Sequence, residues 1–213
     1  MRYERKYKIE NISVAIVRQI VINHPASFRK IFPDRKVNNI YFDNTALSAY
    51  FDNVEGVPDR RKYRVRWYGN DIFNIENPRL EIKIKSNQLG YKESYAINEF
   101  QLDDLRNLSR VINEKTRSYN MFQPTLINSY SRSYYGTTNG KYRITIDRDL
   151  QYFSLLNARK FTRYQIEDQA VVMELKYDEN FDEDASFIQQ YIPFRYSKSS
   201  KYVTGLNLLI GDF

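Results

Sequence analysis

The sequence predicts an α+β fold of about eight antiparallel strands with several flanking helices. Its 19 Tyr and 13 Phe among 213 residues favour β structure. Four segments alternate apolar and charged residues, as strands with one apolar and one polar face do. These segments are residues 64–67, 81–85, 143–147 and 174–177. Because Arg and Lys outnumber acids on their charged sides, the segments also predict a surface that holds a polyanion.

In the first half of the chain, turn residues and apolar spacing locate the elements. Asn11 or Ser13 is predicted to cap an amphipathic helix that ends before Pro25. Residues 45–51 are predicted to form a short helix or turn, and Gly90 is predicted as the turn of a hairpin. The predicted strands cover residues 2–9, 38–43, 61–68, 79–85 and 91–97.

The second half of the chain continues the same pattern. Helical spacing predicts a helix over residues 102–114, and further helices are predicted near 185–191 and 201–209. Asn139 followed by Gly140 is strong hairpin chemistry. The predicted strands cover residues 126–135, 141–147, 152–155 and 170–177. Since the chain has no repeat, low-complexity tract or Gly/Ser-rich linker, we expect a single domain over residues 1–213.

The strand count is compatible with two architectures. About eight strands can close into a barrel whose lumen holds side chains or one extended ligand. An open sheet with helices packed on one face is the alternative. Both place the apolar residues under helices and the charged residues on the other side, so the sequence period leaves the two open.

The absence of cysteine and the single histidine exclude several kinds of site. Without Cys there is no disulfide framework or thiolate metal site, and His24 alone cannot form a zinc constellation. His24 precedes Pro25 and is not expected to be a catalytic imidazole. There is no GxxxxGK[ST] loop and no GxGxxG fingerprint. Since no segment is like a signal peptide or a membrane span, we expect a cytoplasmic protein without direct membrane insertion.

Positive charge is the strongest functional signal. The formal net charge of +7, from 33 basic and 26 acidic residues, predicts an acidic partner such as nucleic acid, phosphate or an anionic surface. Like charges directly opposite each other destabilise a sheet unless an anion neutralises them. Arg binds phosphate oxygens through its planar fork, and Lys supplies a point charge. The candidate cations are Lys6, Arg64, Arg66, Lys83, Lys85, Lys92, Arg132, Arg143, Lys176, Lys198 and Lys201.

Glu174 is an acid within this basic set. It either forms a cross-strand ion pair with a neighbouring Arg or holds a divalent metal, because Mg²⁺ and Mn²⁺ bind carboxylate and phosphate oxygens together. Glu81, Asp147 and Glu4 are weaker candidates for the metal role. With a phosphate oxygen as the nucleophile, metal-assisted phosphoryl transfer needs positioning and charge neutralisation more than a general base.

Eight segments in this order resemble the VTC-type polyphosphate polymerase domain, a member of the triphosphate tunnel metalloenzyme superfamily. The segments are residues 2–7, 40–43, 62–68, 80–83, 131–134, 143–148, 173–178 and 197–202. The resemblance covers nearly the whole chain. It implies an antiparallel eight-stranded β-barrel, the triphosphate tunnel, with flanking helices. It also implies that the γ-phosphate of ATP is transferred to a growing polyphosphate chain.

The resemblance assigns roles to the candidate residues. Glu174 is expected to hold Mn²⁺ or Mg²⁺. Lys85 and Lys176 are assigned to substrate binding from the strand pattern alone. Lumen-facing positions are implied for Lys6, Arg64, Arg66, Lys83, Lys92, Arg132, Arg143, Lys198 and Lys201. The expected partners are therefore ATP and polyphosphate, not nucleic acid, and a membrane-protein partner is left open.

One departure from the superfamily bears on the reaction. The triphosphate hydrolases carry an N-terminal ExExK motif, whereas this chain has Glu4-Arg5-Lys6, with a lysine in place of the second carboxylate. Fewer acids favour holding a long anion over activating water between two metals. We therefore expect a polymerase. A triphosphatase, a non-catalytic polyphosphate-binding module and, least favoured, a nucleic-acid binder are the alternatives.

Overall fold

A computed structural model of the protein describes residues 2–87, 89–116, 121–156 and 165–211. The helices are α1 (Val14–Ile22), α2 (Ser48–Glu55), α3 (Leu105–Thr116), α4 (Ala185–Gln189) and α5 (Lys201–Ile210), with a 3₁₀ turn at Glu179–Phe181. The strands are β1 (Arg2–Ile9), β2 (Arg29–Asp43), β3 (Arg60–Tyr68), β4 (Asn74–Ile75), β5 (Arg79–Ser86), β6 (Leu89–Ala96), β7 (Phe100–Gln101), β8 (Gln123–Gly136), β9 (Tyr142–Ser154), β10 (Gln165–Asp168) and β11 (Val171–Asp178).

The strand pairing decides between the two predicted architectures. The order in the main sheet is β10-β9-β11-β1-β6-β5-β3-β2-β8, and β9 also pairs with β8. Eight strands therefore form a closed ring of neighbours, and β10 is added beside β9. The predicted fold class is confirmed: a closed antiparallel eight-stranded β-barrel with a few helices. Within the described residues, no helix has both the length and the hydropathy to cross a membrane.

Several predicted elements differ from the observed ones. Strand β2 begins at Arg29, well before the predicted residue 38. The extension was not predicted because Pro33 and Asp34 disfavour strands, and both lie in the half of β2 that is not buried. The predicted strands 141–147 and 152–155 are one strand, β9, with a positive φ of 54° at Asp149. Gly90 is not a turn residue, since it lies inside β6 opposite Lys85.

The helix that follows β1 begins as predicted. The side chain of Ser13 caps α1 by accepting a hydrogen bond from the backbone N–H of Ile16 at 3.4 Å. His24 lies after the helix end, where its Nδ1 accepts from the N–H of Ala26 and its Nε2–H donates to the carbonyl of Ile188. These bonds give His24 a structural role.

The first compact unit contains residues 1–35, 130–150 and 168–199. The apolar faces of β1, β9 and β11 contribute Tyr7, Ile144 and Met173 to its core. Val17 of α1 and Ile188 of α4 belong to the same apolar cluster. Alternate residues of these strands therefore carry their polar side chains on the face away from the helices.

The second compact unit contains residues 36–129, 151–167 and 200–213. Val65 and Trp67 of β3 and Leu80 of β5 are buried in its core together with Leu108 and Ile112 of α3. The apolar side chains of α3, at the predicted helical spacing, thus cover one face of the sheet. The charged residues between these core residues again belong to the opposite face.

Buried Asp43, at the end of β2, anchors two helices in the second unit. Its carboxylate accepts from the backbone N–H groups of Ala49 and Tyr50, both at 3.0 Å, at the start of α2. It also accepts from the hydroxyl of Tyr202 in α5 at 2.8 Å. A carboxylate at a helix N-terminus satisfies backbone donors that lack partners within the helix. Asp43 therefore fixes α2 and α5 to the end of β2.

Close packing of α5 gives a stability prediction for Gly205. A Cβ atom at Gly205 would lie 2.4 Å from Cδ1 of Tyr152 and 2.7 Å from Cδ2 of Leu126, both of which are buried. We expect Gly205→Ala to lower the free energy of unfolding by about 1–3 kcal/mol, measured by urea denaturation. Thr204→Ala, the neighbouring position, is the control and should change it by less than about 0.5 kcal/mol. A more stable Gly205→Ala variant, as helix propensity alone predicts, would contradict this packing.

Candidate functional site

The strand register of the second unit brings like charges directly opposite each other. Lys62 of β3 pairs with Lys83 of β5, which in turn pairs with Lys92 of β6. On one side of this row Arg60 pairs with Lys85, and on the other side Arg64 pairs with Glu81, followed by Arg66 with Arg79. Directly opposed like charges destabilise a sheet. This strand face, which we call the cationic face, is therefore suited to an anion that bridges several strands.

Glu81 is the one carboxylate among the residues of β3, β5 and β6 that share the cationic face. Its side chain is 4% exposed. Arg64 donates from Nε and Nη2 to Oε2 of Glu81 at 2.8 and 2.6 Å, and Lys92 donates to Oε1 at 2.6 Å. Nη1 of Arg66 lies 3.8 Å from Oε2. One buried carboxylate thus engages cations from two neighbouring strands.

A pair of buried asparagines orients Arg66. Nε of Arg66 donates to Oδ1 of Asn39 at 2.8 Å, and Nδ2 of Asn39 donates to Oδ1 of Asn128 at 2.7 Å. Both asparagines are fully buried, and Nδ2 of Asn128 has no hydrogen-bond partner among the described residues. The neutral amides therefore restrict the direction of the guanidinium without cancelling its charge.

The environment of Glu81 predicts how stability depends on pH. Burial alone would raise its pKa, but the charges of Arg64, Arg66 and Lys92 outweigh burial and lower the pKa well below its ordinary value of 4.5. The stabilisation that follows is complete above pH 4.5 and is lost as the pH falls below it. When the pH is lowered from 5 to about 2, the free energy of unfolding, measured with urea, should decrease less for Glu81→Gln than for the unmodified protein. Equal losses would contradict the ion-pair network.

The polar face of the first unit is organised around Glu174. Oε2 of Glu174 lies 2.9 Å from Nζ of Lys176 and 3.8 Å from Nη2 of Arg132, and Oε1 lies 3.7 Å from Nζ of Lys6. The closest cation is therefore Lys176 of the same strand, β11, and the Arg considered from the sequence as a cross-strand partner lies farther away, at 3.8 Å. Lys176 also lies 3.7 Å from Glu4. Basic and acidic groups alternate here, in contrast to the cationic face.

Arg132 is held by a second buried acid. It donates from Nε and Nη2 to the two carboxylate oxygens of Asp147 at 2.5 and 2.7 Å. Asp147 is fully buried and Arg132 is 7% exposed. Burial alone would lower the pKa of Arg132, but the charge of Asp147 outweighs burial and raises it, so the guanidinium stays charged. Asp147 is thus committed to Arg132.

The surroundings of Glu174 bear on whether a divalent metal fits. Among the described residues no group of three or more acids and histidines is placed to hold a metal. The residue directly opposite Glu174 on β9 is Thr145, whose buried Oγ1 has no hydrogen-bond partner there. Mg²⁺ and similar ions bind through one or two carboxylates plus substrate phosphates and water. A single carboxylate beside an unused hydroxyl fits such a site.

The predicted cations fall into several structural groups. Lys6, Arg132 and Lys176 surround Glu174, and Arg64, Arg66 and Lys92 surround Glu81. Lys83 and Lys85 lie on the cationic face. Arg143 is exposed and lies opposite Lys176, Lys198 is exposed, and Lys201 is the first residue of α5. The roles of these residues remain predictions.

Lys62 was not among the predicted site residues. It lies on the cationic face, where its Nζ donates to Oδ1 of Asn53 and, at 2.8 Å, to Oγ of Ser200. Its position two residues before Arg64 was the available signal, because residues two apart share a strand face. Asn39 and Asn128 were also missed, since an uncharged amide in a strand gives no comparable signal.

The fold of the chain is similar to that of several solved structures. The PH1819 protein of Pyrococcus horikoshii OT3 has a TM-score of 0.59 at 11% identity, covering 98% of this chain and 99% of that chain. A candidate adenylate cyclase from Vibrio parahaemolyticus has a TM-score of 0.56 at 12% identity, covering 95% and 97%. HpAC1 from Hippeastrum, described as a candidate adenylyl cyclase with dominant triphosphatase activity, has a TM-score of 0.51 at 17% identity, covering 96% and 94%.

The closed barrel with its few helices is a fold of the triphosphate-tunnel type. The family model of the VTC domain matches residues 1–210, and the chain therefore belongs to the VTC domain family. No curated protein matches the sequence. Membership of this group implies an enzyme of the tunnel-metalloenzyme type, with a triphosphate or polyphosphate substrate and dependence on a divalent metal.

Proposed function

We propose that the protein is a metal-dependent polyphosphate polymerase, which transfers the γ-phosphate of ATP to a growing polyphosphate chain. The observation that carries the proposal is the row of directly opposed lysines, Lys62, Lys83 and Lys92. Opposed cations are costly without an anion, and a phosphate chain presents charged oxygens along its whole length. A row of cations from three strands is the expected complement of such a chain.

The proposed step is an in-line phosphoryl transfer. A terminal oxygen of the chain forms a bond to the γ-phosphorus of ATP, while the bond from that phosphorus to the β–γ bridging oxygen breaks. The bridging oxygen keeps the electron pair and leaves as part of ADP. Because the attacking oxygen is already anionic, no residue has to remove a proton. The chain's residues bind and orient the phosphates: Arg64 and Arg66 offer planar forks and Lys83 a point charge.

Glu174 is the residue proposed to hold the metal. A bound Mn²⁺ or Mg²⁺ would polarise phosphoryl oxygens and offset their negative charge. Lys6, Lys176 and Arg132 lie within 3.7, 2.9 and 3.8 Å of the Glu174 carboxylate. In this proposal they bind oxygens of the transferred phosphoryl group or of ADP. Asp147 keeps the Arg132 fork in one orientation.

Hydrolysis of triphosphate is the second candidate function. HpAC1, which shares the fold, is described by a dominant triphosphatase activity. Lys6 opposes this assignment, because it stands where the triphosphate hydrolases have a second carboxylate and it lies beside Glu174. With a lysine there, fewer oxygen ligands are available to a pair of metals that would activate water. We therefore favour transfer to a phosphate oxygen over transfer to water.

We also propose that the chain acts as one cytoplasmic domain without a nucleic-acid partner. The continuous family match over residues 1–210 supports the single domain. The absence of cysteine is consistent with a reducing compartment.

Product analysis tests the proposed reaction. The protein is incubated with ATP and either Mn²⁺ or Mg²⁺, and ADP, orthophosphate and polyphosphate are quantified over time. We expect each ADP released to be matched by one phosphate in polyphosphate. Orthophosphate released from ATP or tripolyphosphate without chain growth would instead assign hydrolysis. Tripolyphosphate binding with neither product would assign a binding module.

A further inference from the structure

The acid at the centre of the cationic face has no role in the proposed reaction. Both carboxylate oxygens of Glu81 accept hydrogen bonds from cations. Its nearest charged neighbours are Arg64, Lys92 and Arg66, at 2.6, 2.6 and 3.8 Å. With 4% of its side chain exposed, it is also too enclosed for a surface ion pair. A carboxylate here reduces the attraction of the face for phosphate.

Glu81 already occupies the geometry that a phosphate group would use. Arg64 gives two donors to one of its oxygens, and Lys92 gives one donor to the other. Carboxylate and phosphate oxygens are the two anionic partners that an Arg fork and an ammonium bind in the same way. The side chain therefore satisfies cations that would otherwise repel each other on the unliganded face.

We propose that Glu81 is a resident counter-anion of the cationic face, which exchanges Arg64 and Lys92 with phosphate oxygens and limits how tightly a phosphate chain is held. The inference rests on the proposed function, because a growing chain must move by one phosphate after each transfer. A channel or tunnel needs binding that is strong enough for entry and weak enough for release. Interactions that hold the chain equally in every state would slow its movement and add nothing to the chemical step.

The direct test is binding of inorganic tripolyphosphate without metal, measured by isothermal titration calorimetry. Glu81→Gln keeps the side-chain shape and one acceptor oxygen but removes the charge. We expect it to bind tripolyphosphate about tenfold more tightly than the unmodified protein at low salt, as one repulsive charge a few ångströms away is removed. The gain should shrink with added salt. Equal or weaker binding by a folded Glu81→Gln protein would overturn the proposal.

Glu93→Gln is the matched control. Glu93 is on β6, next to Lys92 and opposite Ile82, so it belongs to the other face of the same hairpin. Its side chain accepts from the hydroxyl of Tyr95. The variant removes the same charge from the same part of the fold, and its tripolyphosphate affinity should change by less than about twofold. If both variants gained the same affinity for tripolyphosphate, the effect would be due to net charge alone, and the counter-anion role of Glu81 would be overturned.

A measurement on the unmodified protein keeps the proposal testable if Glu81→Gln does not fold. The Nε–H resonance of Arg64 is followed by NMR during titration with tripolyphosphate. Exchange of partner from Glu81 to phosphate predicts a clear shift that saturates with binding. Saturated binding with an unchanged Arg64 resonance would overturn the proposal.

The outcomes separate this inference from the proposed function. If the protein makes no polyphosphate but Glu81→Gln still binds tripolyphosphate more tightly, the counter-anion role of Glu81 is supported and the polymerase activity is rejected. A polymerase whose tripolyphosphate binding is unaffected by Glu81→Gln would reject only the counter-anion. In a polymerase, the variant should lower both KM for the chain and kcat, because release of the chain becomes slower.

Discussion

Replacement of Glu174 by glutamine is expected to lower the rate of polyphosphate formation by at least about a hundredfold. The amide keeps the size of the side chain but loses the charge that is proposed to hold the metal. Lys6, Lys176 and Arg132 remain, and removal of a nearby negative charge does not weaken their attraction for phosphate. Binding of tripolyphosphate without metal should therefore be retained or improved. ADP release and calorimetric binding are measured on the same preparation.

Glu10→Gln is the control for Glu174→Gln. Glu10 belongs to the same unit, its side chain is 62% exposed, and it forms an ion pair with Lys8, whose side chain is 33% exposed. Its replacement should leave turnover within about twofold of the unmodified protein, as expected for a surface ion pair. If Glu174→Gln retained near-normal turnover with either metal, Glu174 would not be the metal anchor. Loss of both turnover and binding would indicate instead that it organises the surrounding cations.

Arg132→Ala is expected to lower the free energy of unfolding by about 3–5 kcal/mol, because it leaves the fully buried Asp147 without its cation. Two short hydrogen bonds, at 2.5 and 2.7 Å, satisfy both oxygens of that carboxylate. Their removal takes two charged hydrogen bonds from a buried carboxylate. Urea unfolding at neutral pH measures the change.

A double-mutant cycle separates the pair from the two single effects. The Arg132→Ala, Asp147→Ala protein should be less destabilised than the sum of the single variants, since neither buried charge remains. Arg110→Ala is the control: its contact with Glu114 is 3.9 Å long between side chains that are 72% and 69% exposed. That variant should change stability by less than about 1 kcal/mol. If Arg132→Ala lowered the free energy of unfolding by no more than the Arg110→Ala control does, a stabilising buried pair of Arg132 and Asp147 would be contradicted.

The strand faces could be predicted because the alternation of residues is local. Arg64, Glu81 and Lys83 follow a period of two, which fixes the face to which each side chain belongs once the strand is recognised. The first strand, the cap at Ser13 and the turn before Gly140 followed from equally local rules. The closed barrel did not follow from the pattern, because a sheet has the same alternation whether or not its ends pair.

The partner of each charge could not be predicted, because ion pairing depends on strand register. Glu81 and Asp147 were considered as metal ligands from the sequence, yet each is engaged by cations of neighbouring strands. A shift of one residue in pairing would have reversed every face and separated these groups. The unpartnered Oγ1 of Thr145 is likewise a product of its place opposite Glu174 and has no signature in the sequence.

A crystal structure with tripolyphosphate and Mn²⁺ bound would locate the phosphate chain and the metal in one measurement. We expect phosphate oxygens within hydrogen-bond distance of Arg64, Lys83 and Lys92, and Mn²⁺ coordinated by a carboxylate oxygen of Glu174. Glu81 should then have lost at least one of its bonds to Arg64 and Lys92. Tripolyphosphate bound away from the cationic face, with Arg64 and Lys92 still on Glu81 and no metal at Glu174, would contradict both the phosphate site and the metal site.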